Sequence, residues 1–282
     1  MRIDAHQHYW QLARGDYGWL TPRLAPIYRD FGPGDLAPHL DAFDIARTVL
    51  VQAAPTEAET DFMLDLAGAT PSVAGVIGWV DLGTPEAAQR IARLGTRPKL
   101  VGLRPMIHDI ADPRWMLSVE LEPAYAAIEA TGLTFDALVR PVHLRPLEIL
   151  VERHPGMTVV VDHGAKPDIA RWAPGDEDFS DWVERMHQIG RHANVLCKVS
   201  GLATEARSDW ASADLTPYLD TLLDAFGPER LMFGSDWPVV NLAGGYERWM
   251  DALLRWLDSL DCPSRDMILG ATAAHVYKLT ER

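Results

Sequence analysis

Cysteine is nearly absent from this 282-residue chain, which carries only Cys197 and Cys262. Two distant thiols build neither a disulfide framework nor a cysteine-rich metal site, and Cys197 sits in an apolar run where a buried free thiol is expected. No apolar run reaches the roughly 18 residues needed to span a bilayer, which removes the membrane as a partner. Met1-Arg2-Ile3-Asp4 lacks the apolar stretch of a signal peptide, so a cytoplasmic protein is expected. Basic residues are scarce: 26 Lys and Arg stand against 40 Asp and Glu, a formal net charge of −14. Nucleic acid is excluded as a partner on that ground, because phosphate binding needs a basic stripe. No Gly-rich fingerprint follows the first β-like run, which weighs against a dinucleotide-binding open sheet. Linkers and low-complexity segments are also missing, so residues 1–282 read as one domain.

What the chain does have is apolar content and alternation. Hydrophobic residues make up 48% of it, enough for a sizeable core. Short β-rich runs recur at 2–8, 48–52, 73–81, 100–106, 133–139, 157–162, 194–200 and 231–234. Segments with helical periodicity lie between them at 57–69, 85–94, 122–130, 147–153, 178–192 and 217–226, with a final one at 245–260. Eight such alternations predict an α/β fold, a (β/α)8 TIM barrel in a single domain. Residues 11–38, rich in Pro, Gly and aromatics, predict a long first βα loop over the barrel mouth. The chain holds ten tryptophans. Most of them must be core, but several stand beside polar motifs, as in Tyr9-Trp10, Tyr17-Gly18-Trp19 and Asp236-Trp237-Pro238, where rings can line a pocket.

In such a barrel the C-terminal strand ends build the active site. Those ends carry His6 and His8, Arg104, Asp136 with Arg140 and His143, Asp162-His163 with Lys166, Lys198 and Ser200, and Ser235-Asp236-Trp237. A purely structural barrel has little reason to gather so many ionisable groups on one rim. Residues i and i+2 of a strand share a face, so His6 and His8 can bind one metal ion or flank one substrate atom. An acidic residue facing into a barrel, such as Asp136, is costly unless paired, and Lys198 or Arg104 offers the partner.

These segments together resemble the amidohydrolase superfamily, in the amidohydrolase-2 branch that holds sugar-lactone hydrolases and 2-pyrone-4,6-dicarboxylate hydrolases. The motifs that carry the resemblance are Asp4-Ala5-His6-Gln7-His8-Tyr9-Trp10, Val101-Gly102-Leu103-Arg104, Asp162-His163, Lys198-Val199-Ser200-Gly201-Leu202 and Leu231-Met232-Phe233-Gly234-Ser235-Asp236-Trp237-Pro238. The resemblance implies His6, His8, His163 and Asp236 as metal ligands, and Asp236 as general base. It implies His163, Arg104 and Lys198 at the substrate carbonyl, where cations stabilise a tetrahedral oxyanion. Trp79, Asp136, His143, Lys166, Trp237, Tyr17 and Trp19 follow as substrate-binding candidates. Strand four offers Arg104 and no bridging carboxylate or lysine, so one divalent ion, zinc by ligand chemistry, is expected rather than two. A metal-free alternative also exists within the branch, with cationic side chains polarising the carbonyl. The implied activity is opening of a sugar-acid lactone such as a fucono-, galactono- or rhamnonolactone. Alternatives in the same branch are a 2-pyrone-4,6-dicarboxylate hydrolase and a metal-dependent decarboxylase. The expected partner is a small-molecule lactone, and homo-oligomerisation is left open.

Overall fold

The computed structural model describes residues 1–279. Eight parallel strands form one sheet in sequence order: β1 (Arg2–Gln7), β2 (Ile45–Val51), β3 (Val73–Gly78), β4 (Leu100–Leu103), β5 (Thr134–Ala137), β6 (Val159–Val161), β7 (Val195–Val199) and β8 (Leu231–Phe233). The sheet closes where Gln7 bridges Trp237, with His8 N donating to Trp237 O and Asp236 N to His6 O at 2.7 and 2.8 Å. The expected (β/α)8 barrel is the fold, and its seam brings the first strand-end motif directly against the last. No helix among the described residues is long and apolar enough to cross a membrane.

Among the described residues ten α-helices accompany the strands: α1 (Pro33–Ala42), α2 (Glu57–Ala69), α3 (Ala87–Leu94), α4 (Glu122–Thr131), α5 (Leu144–Arg153), α6 (Glu177–Gly190), α7 (Ser212–Phe226), α8 (Tyr246–Leu257), α9 (Cys262–Asp266) and α10 (Thr272–Val276). α1 corrects the reading of 11–38 as uninterrupted loop. Pro33 takes the first helical position, where no N–H is needed, and the Asp35 carboxylate accepts from Gly32 N. The long loop therefore ends at Gly32, after two 3-10 turns. α7 begins at Ser212, five residues before the expected start, because Pro217 is tolerated inside it. The strands stop short of the expected ends, so Arg104 lies just past β4.

Two cores flank the strands. Between strands and helices lies a large apolar layer rich in Leu, Val, Ile and aromatics. Inside the barrel, Ile3, Ala5, Val49, Val51, Ile77, Val160, Leu196 and Met232 pack against Tyr277 and Leu279 from the C-terminal segment. β1 shifts register between Asp4 and Gln7. Strict alternation from Ile3 and Ala5 would turn His6 outward with Asp4, which meets Tyr246 of α8. The shift instead leaves His6 facing inward beside Lys198. Gly234 makes room for this approach, since a Cβ there would stand 2.6 Å from the Cβ of His6.

Candidate active site

Above the apolar barrel floor lies a buried charge layer. Asp136 of β5 and Lys198 of β7 follow Thr134 and Leu196 at two-residue spacing and so point inward. Lys198 Nζ donates to Asp136 Oδ2 at 2.6 Å and meets Asp162 Oδ1 at 3.0 Å and His6 Nδ1 at 3.3 Å. Asp136 also accepts from Thr134 and from Tyr277 Oη. Arg104 binds Gln52 through Nε and NH2, while its NH1 reaches Asp162 Oδ2 at 3.2 Å and His6 Nε2 at 3.3 Å. Two cations and two carboxylates thus balance in a buried layer, where only Arg104 borders the cavity above. Burial raises the Asp136 carboxyl, against the pull of Lys198. Burial also opposes ionisation of Asp162, but Lys198, His6 and Arg104 win and hold it well below the usual carboxylate range.

Three imidazoles converge above this layer. His8 Nδ1 lies 2.7 Å from Val51 O, an oxygen that can only accept, so Nδ1 carries the proton. His163 Nδ1 pairs with Ser200 Oγ at 2.8 Å. The Nε2 atoms of His6, His8 and His163 stand 3.7, 3.2 and 3.9 Å from Asp236 Oδ1. Burial pushes His6 and His163 well below the usual imidazole range, keeping both rings neutral. Burial opposes the Asp236 charge as well, but His163 and His8 hold its carboxyl below the ordinary aspartate value. His6 Nε2 and Asp236 Oδ1 each lie 3.2 Å from His8 Nε2, so ring nitrogens and a carboxylate oxygen gather around one point that a cation could occupy. Three nitrogens and one carboxylate oxygen are also a donor set suited to zinc, and His6, His163 and Asp236 alone already bring ligand atoms within 4.8 Å of one another.

The backbone holds these groups in unusual conformations. His163 and Asp236 adopt φ of 56° and 57°, and the left-handed run continues through Lys166. Non-glycine residues of this kind cost of order 1–3 kcal/mol each and cluster at functional sites. Gly201, at φ 60°, permits the close approach of His163, because a Cβ there would overlap the ring at Nδ1. Gly201→Ala should therefore displace His163 and lower kcat by about 10²-fold, the scale of a misplacement near 1 Å. Steady-state kinetics checks this, and unchanged kcat would mean that the ring position is not critical.

A cavity of about 320 Å³ opens over the cluster. Its lining includes the expected His8, Arg104, His163, Asp236, Lys166 and Trp19, together with residues that sequence reading missed: Ala53, His108, Leu138 and Glu205. Glu205 holds Lys166 at 2.5 Å. His108 and Glu205 lie in 3-10 turns after β4 and β7, where nothing in the sequence gives a direction. Gln52, which orients Arg104, was detectable as a polar residue closing an apolar strand run. Several candidates lie elsewhere. Lys198 and Asp136 are sealed beneath His6 because each needs the other's charge, so they support the site without lining it. His143 turns back to accept from Arg140 N and closes a backbone turn. Trp237 packs on Tyr9 and Phe31, and Tyr17 is buried against Trp10. Trp79 lines a neighbouring cavity.

The wall at Ala53 depends on a buried acid. Glu59 of α2 accepts from Ala53 N and Ala54 N at 3.0 and 2.7 Å. Burial pushes its carboxyl up to about 7, although those two amides pull the other way. The unfolded chain releases this proton near 4.5, so the folded state binds more protons between 4.5 and 7. Its contribution to stability is full below 4.5 and falls by roughly 3 kcal/mol as pH rises to 7. Glu59→Gln should remove that component of the pH dependence in thermal melts between pH 5 and 8. Parallel wild-type and variant curves would refute it.

The chain is similar over its length to known proteins. A protein named L-fucono-1,5-lactonase from Burkholderia ambifaria is 44% identical over 99% of this chain and 96% of its own length. A second L-fucono-1,5-lactonase, from Burkholderia multivorans, is 37% identical over 100% of this chain and 97% of its own. A crystal structure of an amidohydrolase from Burkholderia multivorans with bound zinc matches at a TM-score of 0.93 and 35% identity, covering 99% of this chain and 100% of that one. The amidohydrolase family model (Amidohydro_2) matches residues 3–279. The chain belongs to the amidohydrolase family.

Proposed function

We propose that this protein hydrolyses a sugar-acid lactone, with L-fucono-1,5-lactone the leading substrate and Asp236 the general base. The observation that carries the reading is the convergence of three imidazole Nε2 atoms on an ionised Asp236, with the Arg104 guanidinium against His6, at the floor of a small cavity. The likeness to the two lactonases supports the substrate class. His6, His8, His163 and Asp236 would hold one divalent ion, zinc by donor chemistry, which when bound supplies Lewis acidity to the carbonyl.

The chain's own groups account for the proton movements. Asp236 accepts a proton from water as the water oxygen bonds to the lactone carbonyl carbon. The developing oxyanion lies against Arg104, which keeps an N–H beyond its bonds to Gln52, Asp162 and His6. Collapse breaks the bond from the acyl carbon to the ring oxygen, and Asp236 returns its proton to the departing alkoxide. The product is an open-chain hydroxy acid. Lys166 is neutralised by Glu205 and Arg104 by Asp162, so the cavity suits a hydroxylated, uncharged ring better than a dicarboxylate.

A panel of sugar 1,5- and 1,4-lactones, followed by acid release at constant pH alongside metal analysis of chelator-free protein, tests the proposal. Acid release on a 6-deoxyhexono-1,5-lactone well above the buffer rate, with about one metal per chain, is the expected result. No catalysed release across the panel overturns it.

A further inference from the structure

Beside the catalytic cavity lies a second one, of about 500 Å³, within the usual size range of ligand sites. Trp19, Trp79 and Trp115 wall it, with Leu82 and Ile110. It lies at the same C-terminal end of the barrel, built from the connections after β1, β2, β3 and β4. Trp19, Met106 and Asp109 face both cavities, so the two meet along a shared wall. That wall is built by Trp19 of the first loop and by Met106 and Asp109 after β4, the strand that leads into Arg104, so a lactone held between Asp236 and Arg104 lies next to the second cavity.

The two cavities differ in charge. Arg104, Arg140 and Lys166 line the catalytic one, offset by Asp109, Glu205 and Asp236. No lysine or arginine lines the second, where Asp16, Asp81 and Asp109 take part instead. Asp16 is committed to Arg14 and Thr56. Asp81 and Asp109 are exposed, and among the described residues neither pairs with a lysine or arginine. Carboxylates at the edge of tryptophan walls repel anions and accept hydrogen bonds from hydroxyls. A neutral pyranose ring matches both properties, since its C–H faces are apolar and its rim carries hydroxyl donors. Indole faces are large, rigid apolar surfaces for such a ring.

On the basis of the lactonase reading, we propose that this tryptophan slot is a subsite for a neutral pyranose ring joined to the far end of the lactone, so that the enzyme accepts the lactone of a disaccharide acid. The chemistry at Asp236 is unchanged, and the second ring adds binding only.

Binding of lactobionate (a galactosyl ring on a sugar acid) and of gluconate, measured by calorimetry, tests the slot apart from turnover. Lactobionate should bind about tenfold more tightly, equivalent to about 1.4 kcal/mol. Trp115→Ala, which of the two cavities lines only the slot, should abolish the difference while leaving gluconate affinity and monosaccharide-lactone turnover within about twofold, a change too small to register as a lost contact. Ile110→Trp fills the slot without removing packing and should do the same, which covers a folding failure of the first variant. Equal affinity for the two acids in wild type overturns the proposal, as does a preference that survives Ile110→Trp. If no lactone is hydrolysed, the lactonase reading fails alone and the binding difference still decides the slot.

Discussion

Replacing Asp236 with asparagine should lower kcat on a sugar lactone by roughly 10²–10⁴-fold, the usual contribution of a positioned general base, while the protein stays folded. The Asp236 carboxylate meets all three imidazoles, and His163 and His8 hold it in the charged form despite its burial. Asparagine preserves size and planarity but cannot take a proton from water. It also tolerates left-handed backbone better than most residues, which matters at φ 57°. The hydrogen bond from residue 236 N to His6 O comes from the main chain and survives the change. The check is kcat by acid release, paired with a thermal melt. Wild-type turnover in a folded Asp236→Asn protein would move the base elsewhere and sink the proposed mechanism.

A second large effect is expected at Lys198, through stability as well as turnover. Lys198→Met strips Asp136 of its cation and leaves Asp162 with Arg104 alone, both inside a region closed to water. Breaking a buried pair by removing one partner costs about 3–5 kcal/mol, which for a chain of this length lowers Tm by roughly 10 °C. His6 Nδ1 loses its neighbour at the same time, so kcat should fall too. The double variant Lys198→Met/Asp136→Asn removes the stranded charge and should regain about half of the lost stability, since an uncompensated buried ion carries most of the penalty. Differential scanning calorimetry on the three proteins decides the matter. A single variant melting within a degree or so of wild type would show that the charge layer is not what holds this part of the barrel.

Much of this site was legible one residue at a time. His6, His8, Arg104, His163 and Asp236 each close a β-rich run with an ionisable group, and a barrel collects such groups at one end. Other roles were not legible, because residue type does not report depth. Lys198 reads like Lys166 in sequence. Two-residue alternation buries Lys198 under His6, while the left-handed turn after β6 carries Lys166 up to the cavity. His143 and Trp237 stand beside motif residues, yet a backbone turn and an aromatic layer claim them. His108, Glu205 and the tryptophan slot lie in loops whose paths follow from packing between distant segments.

By itself the sequence determined the barrel, its single domain and the rim residues, because hydrophobic periodicity and strand-end chemistry are local properties of the chain. Only the tertiary structure decided how those residues divide their work. The register shift in β1 turns His6 inward, and seam closure sets His6 and His8 against Asp236 from the opposite end of the chain. Burial then converts a row of charges into a paired layer beneath and a cluster of imidazoles around Asp236 above. Distances and desolvation depend on contacts between residues far apart in the chain, such as His8 with Asp236 at a separation of 228, and no window of sequence contains them.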